Sequence, residues 1–179
     1  MDILHALDTS ARRVETPCGA GRMAWRIWNE DAGSPLLLLH GGNGSWRHWV
    51  RQIPHFAATR CVIAPDLPGL GESADAPDPA DPPTIARVIA EGLREIVADT
   101  SALDLAGFSF GANIGGHVAV ELGAALRSLT IIGAGALGVA RGETPLVKVR
   151  DKEGAERVAA HRHNLAALMI ADPARIDDL

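Results

Sequence analysis

The stretch Leu-Asp-Leu-Ala-Gly-Phe-Ser-Phe-Gly-Ala at residues 103–112 constrains this chain more than any other: an apolar, strand-like run enters a Gly-x-Ser-x-Gly and a helix-like run leaves it. A serine on so sharp a strand-to-helix turn has a crowded backbone, and glycines at 107 and 111 remove the Cβ atoms that would collide across it. The Ser109 hydroxyl is therefore expected beyond the strand end, within reach of a substrate. The first free N–H groups of the following helix, with its positive dipole end, face the place where an oxyanion would form. Phe110 N–H is the natural donor, and Ser109 is the candidate nucleophile.

Two more glycine-bearing turns follow strand-like runs. The run Pro-Leu-Leu-Leu-Leu at 35–39 breaks into His40, Gly41, Gly42, Asn43 and Gly44, a turn able to supply a second oxyanion donor. The run 61–64 ends in a loop reading Asp-Leu-Pro-Gly-Leu-Gly-Glu-Ser at 66–73. With these three motifs in this order and near this spacing, the chain resembles the α/β-hydrolase superfamily, over roughly residues 20–179. The expected fold class is α/β: a doubly wound, mostly parallel sheet with helices on both faces, its C-terminal strands missing. Ligands of such sheets bind at the carboxyl ends of the strands, where all three turns fall.

Taken in order, residues 1–13 carry few signals. Residues 14–18 and 22–29 read as two strands of a hairpin, with Trp25 and Trp28 on opposite faces, one in the core and the other covering an edge or surface. The unalternating run 35–39 reads as a strand covered on both faces. Ser45 is a good N-cap for a helical pattern of Trp46, Trp49, Val50 and Ile53 that Pro54 interrupts, with His48 and His55 facing solvent. The proline- and aspartate-rich stretch 74–83 reads as a surface excursion, and Thr84 opens an amphipathic helix. After the serine turn, Ala112, Gly115, Gly116 and Ala119 form a small-residue stripe that suggests close approach of helix to sheet. Residues 129–134 read as another buried-type strand, and 164–171 as a helix-like apolar patch.

Composition excludes several classes. The 179 residues are 47% hydrophobic, with a formal charge of −5 and no basic cluster, which argues against a nucleic-acid partner. Mean hydropathy is +0.08, and no apolar run approaches the about 18 residues of a membrane span. The N-terminus lacks the pattern of a secretion signal, so a cytoplasmic location is the default expectation. Cys18 and Cys61 have neither metal nor redox spacing and read as small hydrophobes in or near strands. His161 and His163 sit two apart, so on a helix they diverge.

The resemblance implies a division into residues 1–143, the N-terminal part of the hydrolase core, and 144–179, the start of a helical cap. It implies catalysis by Ser109, an oxyanion hole from the N–H groups of Gly42 and Phe110, and support of elbow and turn by His40, Gly41, Gly107 and Gly111. Asn43, Trp46 and Phe108 are candidate pocket residues. No metal or organic cofactor is implied, and the partner is a small-molecule substrate. A serine hydroxyl needs a histidine to take its proton and a carboxylate to orient that histidine, and in this superfamily both follow the serine on later loops. No histidine lies beyond His163, and the loop at 135–138 offers no carboxylate. His117, on the elbow helix, stands roughly 12 Å along the axis from the serine. Asp66, Asp75 and Asp78 read as loop-shaping or solvated. The acid and base are therefore expected outside these residues and the chain is expected to be a fragment, self-associating through the bare edge of its last strand. The leading expectation is a serine hydrolase acting on carboxylic esters or on carbon–carbon bonds of ring-cleavage products. The alternative is a non-catalytic ligand-binding or interaction protein that keeps the scaffold.

Overall fold

The computed structural model describes residues 3–97, 102–135, 144–170 and 172–176. It divides into one unit over 1–137 and another over 138–179. The stretch 136–143, where the sequence reading ends the core and finds a loop without a carboxylate, lies outside the described residues.

The first unit is a six-stranded sheet in the order β1-β2-β4-β3-β5-β6. Strands β1 (Arg12–Cys18) and β2 (Gly21–Trp28) form the expected hairpin, and β2 runs antiparallel to β4 (Val62–Pro65). Strand β3 (Leu36–Leu39) is parallel to β4 and to β5 (Leu103–Phe108), and β5 is parallel to β6 (Leu126–Ile132). The fold is thus α/β with a mostly parallel sheet. The chain passes from β3 to β4 on one side, then crosses back through α3 (Pro82–Ile96) to β5 on the other. This reversal of direction opens a crevice at the carboxyl ends of β3 and β5.

Strand parity sorts the core into two layers. Leu37, Leu39, Ile63, Leu105 and Trp25 bury against α3 and α4 (Phe110–Leu122). Leu36, Leu38, Val62, Ala64 and Trp28 face the opposite side, beneath Trp46, Trp49 and Ile53. Both tryptophans of β2 are therefore core, correcting the expectation of one edge cover. The missing cover is α1 (Ile3–Ser10), whose Leu4 and Leu7 pack on that layer and whose Leu7 carbonyl accepts the Trp28 indole N–H at 3.0 Å.

Other element bounds also shift, for local reasons. The pattern after Ser45 is a 3-10 turn at Trp46–Trp49, followed by a separate α2 (Ile53–Ala57) that Pro54 helps to start rather than interrupts. Asp81, not Thr84, caps α3: its carboxylate accepts Thr84 N–H at 2.9 Å, with Pro82 and Pro83 in the first turn. Strand β6 starts three residues before the apolar run because Ser128, in register with Asp104, donates to that carboxylate at 2.6 Å, and Arg127 joins it. Hydrogen bonds from Arg127, then from Ser128 and Arg60, hold the Asp104 carboxyl well below the usual carboxylate range despite its burial. Among the described residues β6 pairs only with β5, and Ile131 and Ile132 are exposed.

The second unit contains α5 (Gly154–Leu168), which begins ten residues before the apolar patch at 164–171. Asn164 on this helix holds Val147 by both backbone groups, accepting its N–H at 2.8 Å and donating to its carbonyl at 2.9 Å. His163 makes a hydrogen bond to the Pro145 carbonyl at 2.8 Å, and Asp172 caps a short turn at Pro173–Arg175.

The small-residue stripe of α4 is only partly a packing device. A Cβ on Gly115 would lie 2.9 Å from Leu105 Cδ2, whereas one on Gly116 would meet nothing within 4 Å. Gly116→Ala is accordingly expected to stabilise the chain by up to about 1 kcal/mol through helix propensity. Gly115→Ala is expected to destabilise it by about 1–3 kcal/mol through overpacking. Urea midpoints of the two variants check both signs.

Candidate active site

Ser109 joins β5 to α4 with φ +53° and ψ −114°, a positive φ at a non-glycine residue. Its N–H donates to the Ile132 carbonyl at 2.8 Å, and its own carbonyl accepts the N–H groups of Ala112 and Asn113 at 3.1 and 3.2 Å. The elbow is thereby tied to the end of β6 and closes the first turn of α4. Gly107 and Gly111 are required by contact: a Cβ on the first would run into the Gly111 carbonyl and Ala112 Cα, and one on the second into the Leu39 and His40 carbonyls. Ser109 is half-buried, and no side chain among the described residues hydrogen-bonds its Oγ. Phe110 occupies the first position of α4, where an N–H has no intrahelical acceptor.

The 40–44 turn packs directly on this elbow. A Cβ on Gly41 would stand 3.0 Å from the Phe108 ring and 3.4 Å from Ser109 Cβ, and one on Gly42 would stand 3.6 Å from Phe110 Cβ. Gly42 and Asn43 are exposed, and Asn43 turns the chain at φ +56°. Phe108 is partly buried, beside the sheet layer that contains Trp46. Trp46 itself is 1% exposed, with Trp28 at 5.6 Å on one side and the Arg26 guanidinium over its ring at 4.9 Å. It lies in the core and offers a substrate no surface, which corrects its reading as a pocket residue.

His40 is fully buried with both nitrogens engaged. Its Nδ1 is 2.7 Å from the Gly41 carbonyl, and its Nε2 accepts the Leu67 N–H at 2.9 Å. Both bonds require the neutral ring with its proton on Nδ1. Burial pushes its pKa down, against the opposing pull of the Gly41 carbonyl and Asp66. The ring thus straps the 40–44 turn to the 66–73 loop and has no free nitrogen to take a proton from Ser109.

Asp66, read from the sequence as loop-shaping or solvated, is buried and shapes two loops at once. Its Oδ1 accepts Trp46 N–H at 2.8 Å and its Oδ2 accepts Glu72 N–H at 3.0 Å. Behind it lies a residue that the sequence reading missed. Arg26, buried in β2, donates to Asp8 at 2.7 Å, to Glu72 at 2.8 Å and to Asp66 at 3.4 Å. The available signal was an arginine between Ala24 and Trp28 on one face of a strand, since a charge flanked by apolar residues there needs carboxylate partners. His48 was also missed. Although exposed, its Nδ1 accepts Gly41 N–H at 3.2 Å, and its ring stands edge-on to His40 and Phe108 at 5.9 Å from each.

The remaining candidates have other partners or belong to the other unit. Cys18 is buried with its thiol on the carbonyls of Ala74 and Asp75, and Cys61 is buried just before β4. Asp75 and Asp78 are exposed, and His161 and His163 belong to the second unit. Among the described residues no group of three or more His, Cys, Asp or Glu side chains is placed to hold a metal, and no helix is long and apolar enough to cross a membrane.

Known proteins match this geometry. The family model described as alpha/beta hydrolase fold matches residues 34–154. The dihydrolipoyllysine-residue acetyltransferase component of the acetoin cleaving system of Pseudomonas putida is 34% identical over 122 residues, 68% of this chain and 32% of that protein. The 2-hydroxymuconate semialdehyde hydrolase of Pseudomonas sp. (strain CF600) is 32% identical over 110 residues, 60% of this chain and 38% of that one. Among solved structures, the epoxide hydrolase CorEH without ligand superposes with a TM-score of 0.63 at 26% identity, covering 83% of this chain and 48% of that one. The match therefore spans less than half the length of each.

Removing the buried carboxylate tests how the site is held. Asp66→Ala strands two main-chain donors and takes one of three carboxylates from a buried guanidinium, and is expected to cost about 3–5 kcal/mol in chemical denaturation. Glu72→Ala, whose side chain is 52% exposed, is expected to cost under about 1 kcal/mol.

Proposed function

This chain belongs to the alpha/beta hydrolase fold family, and we propose that it is the nucleophile-bearing portion of a hydrolase in which Ser109 attacks an acyl carbon. The observation that carries the reading is the positive-φ serine at the strand-to-helix turn, with the 40–44 turn packed against it. In this mechanism Ser109 Oγ adds to the carbonyl carbon while a histidine takes its proton. The negative charge that develops on the carbonyl oxygen is received by the N–H groups of Phe110 and Gly42. One such donor is worth about 2.7–4 kcal/mol where measured. Collapse of the tetrahedral adduct expels the leaving group, which the same histidine protonates, and water then releases the acyl group.

We place the acid and the histidine in the part of the protein that corresponds to the unmatched half of its relatives. Two facts favour this: the fit spans 32–48% of those relatives' length, and His40 has both nitrogens committed. Carboxylic esters and carbon–carbon bonds of ring-cleavage products are the favoured substrates. The likeness to a semialdehyde hydrolase supports the second, and a serine rather than a carboxylate at position 109 disfavours epoxide opening. That no side chain among the described residues hydrogen-bonds Ser109 Oγ also fits a second reading, a non-catalytic binder that retains the scaffold. Residues 144–179 we assign to the start of a cap. The open side of β6, with Ile131 and Ile132 exposed, is a seam for self-association when nothing else pairs there, and light scattering showing only monomer would contradict that.

A fluorophosphonate probe separates the two readings. In the protein that carries the downstream residues, labelling is expected at Ser109 and is lost in Ser109→Ala; clean absence of labelling favours the binder. The 179 residues alone are expected to turn over esters slower by on the order of a millionfold, the loss on removing nucleophile or base from one serine protease. Robust esterase activity from them would contradict the assignment of acid and base.

A further inference from the structure

We propose that His48 is a positioning residue for the 40–44 turn: the turn closes around its neutral imidazole, whose Nδ1 holds Gly41 N–H so that the next amide, Gly42, stays where it serves Ser109. This rests on reading residues 40–44 as the oxyanion turn.

Three contacts carry the inference. The Gly41 N–H donates to His48 Nδ1 at 3.2 Å, across the whole width of the turn. On the other side the His48 ring occupies the place where a Cβ on Gly44 would be, so a side chain there would have to displace the ring. The ring edges against His40 and Phe108, the residues that flank the turn and the elbow, at 5.9 Å from each. The imidazole is therefore the filling of the turn, and it supplies the only side-chain acceptor that the described residues offer to Gly41 N–H.

The acceptor exists only while the ring is neutral. Protonation places an N–H on both nitrogens, which sets a donor against the Gly41 donor and removes the bond. Burial of part of the ring pushes the His48 pKa below its ordinary 6.5, which favours the neutral form in the fold. The contribution is thus present above the ordinary value and is lost as pH falls through the lowered one. The titratable group whose ring faces it is His40, from the end of β3, and the charged residue beside it on its own turn is Arg47. His40 competes directly as the source of any pH effect, since it bonds the Gly41 carbonyl.

The test is a nitrogen NMR titration of the chain from about pH 8 to about pH 5, following the His48 imidazole and the Gly41 and Gly42 amides. The expected result is one shared midpoint, below the ordinary histidine value, with Nδ1 unprotonated above it. In His48→Asn, whose amide oxygen can accept in the place of Nδ1 but does not titrate, the two glycine amides are expected to keep their high-pH shifts throughout. In His48→Phe, which keeps a ring and loses the acceptor, they are expected to sit away from those shifts at every pH. Glycine amides that ignore His48, or that still titrate in His48→Asn, would assign the effect to His40 and overturn the proposal. Should His48→Phe fail to fold, the other two titrations decide. None of these shifts requires turnover, so absent labelling of Ser109 would sink the hydrolase reading without touching this one, and the reverse holds.

Discussion

Ser109 is held at φ +53°, where its side chain crowds its own backbone, and the rest of the site is arranged around keeping it there. A residue in such a region costs of order 1–3 kcal/mol and persists only where its surroundings over-determine it. Here four constraints act together. Residues 107 and 111 have no Cβ to push β5 and α4 apart, the Ser109 N–H is anchored on the Ile132 carbonyl, and its carbonyl starts the helix. The Gly41 backbone then closes over Ser109 Cβ from the neighbouring strand end. Relaxing the serine would require moving the ends of β3, β5 and β6 at once.

The second turn is held differently, by polar groups taken out of water. His40 ties the 40–44 turn to Leu67, Asp66 ties Trp46 to Glu72, and Arg26 stands behind Asp66 with Asp8 and Glu72 as further partners. A guanidinium this deeply buried would be costly alone, and its three carboxylates together with the Trp46 ring make the position tolerable. The arrangement explains why α1 matters to a site it does not touch. Asp8 on that helix is one of the carboxylates, and bonds from Arg26 and Arg13 lower its pKa against the desolvation that raises it.

What could be read from the residues follows from the range of the interactions that set them. The elbow, the turn after β3 and the strands β3 and β5 are local matters of glycine spacing and unbroken apolar runs, and they stand where the pattern puts them. The features that were missed depend on partners distant in sequence. Trp28 is core because α1, which carries no strong pattern, lies over it. Strand β6 begins early because Asp104 draws Ser128 and Arg127 into the ladder. Arg26 and His48 look like an ordinary strand charge and a surface histidine until Asp8, Asp66 and Gly41 are brought to them.

The same distinction orders the chemistry. Stabilising an oxyanion calls for main-chain N–H groups held at one point, and main chains approach so closely only where side chains are absent. That half of catalysis is therefore written in glycines, and in the function proposed for this chain its donors would come from the ends of β3 and β5, neighbours in the sheet. Accepting a proton calls for a side chain with a free nitrogen, which a loop from any part of the fold can bring. Nothing about the elbow dictates where it comes from, so a fold can carry the donors in one stretch of chain and the base in another. His40 illustrates the point from the other side: it is the histidine built most tightly into the turn, and the two bonds that make it a good strut leave it no nitrogen with which to act as a base.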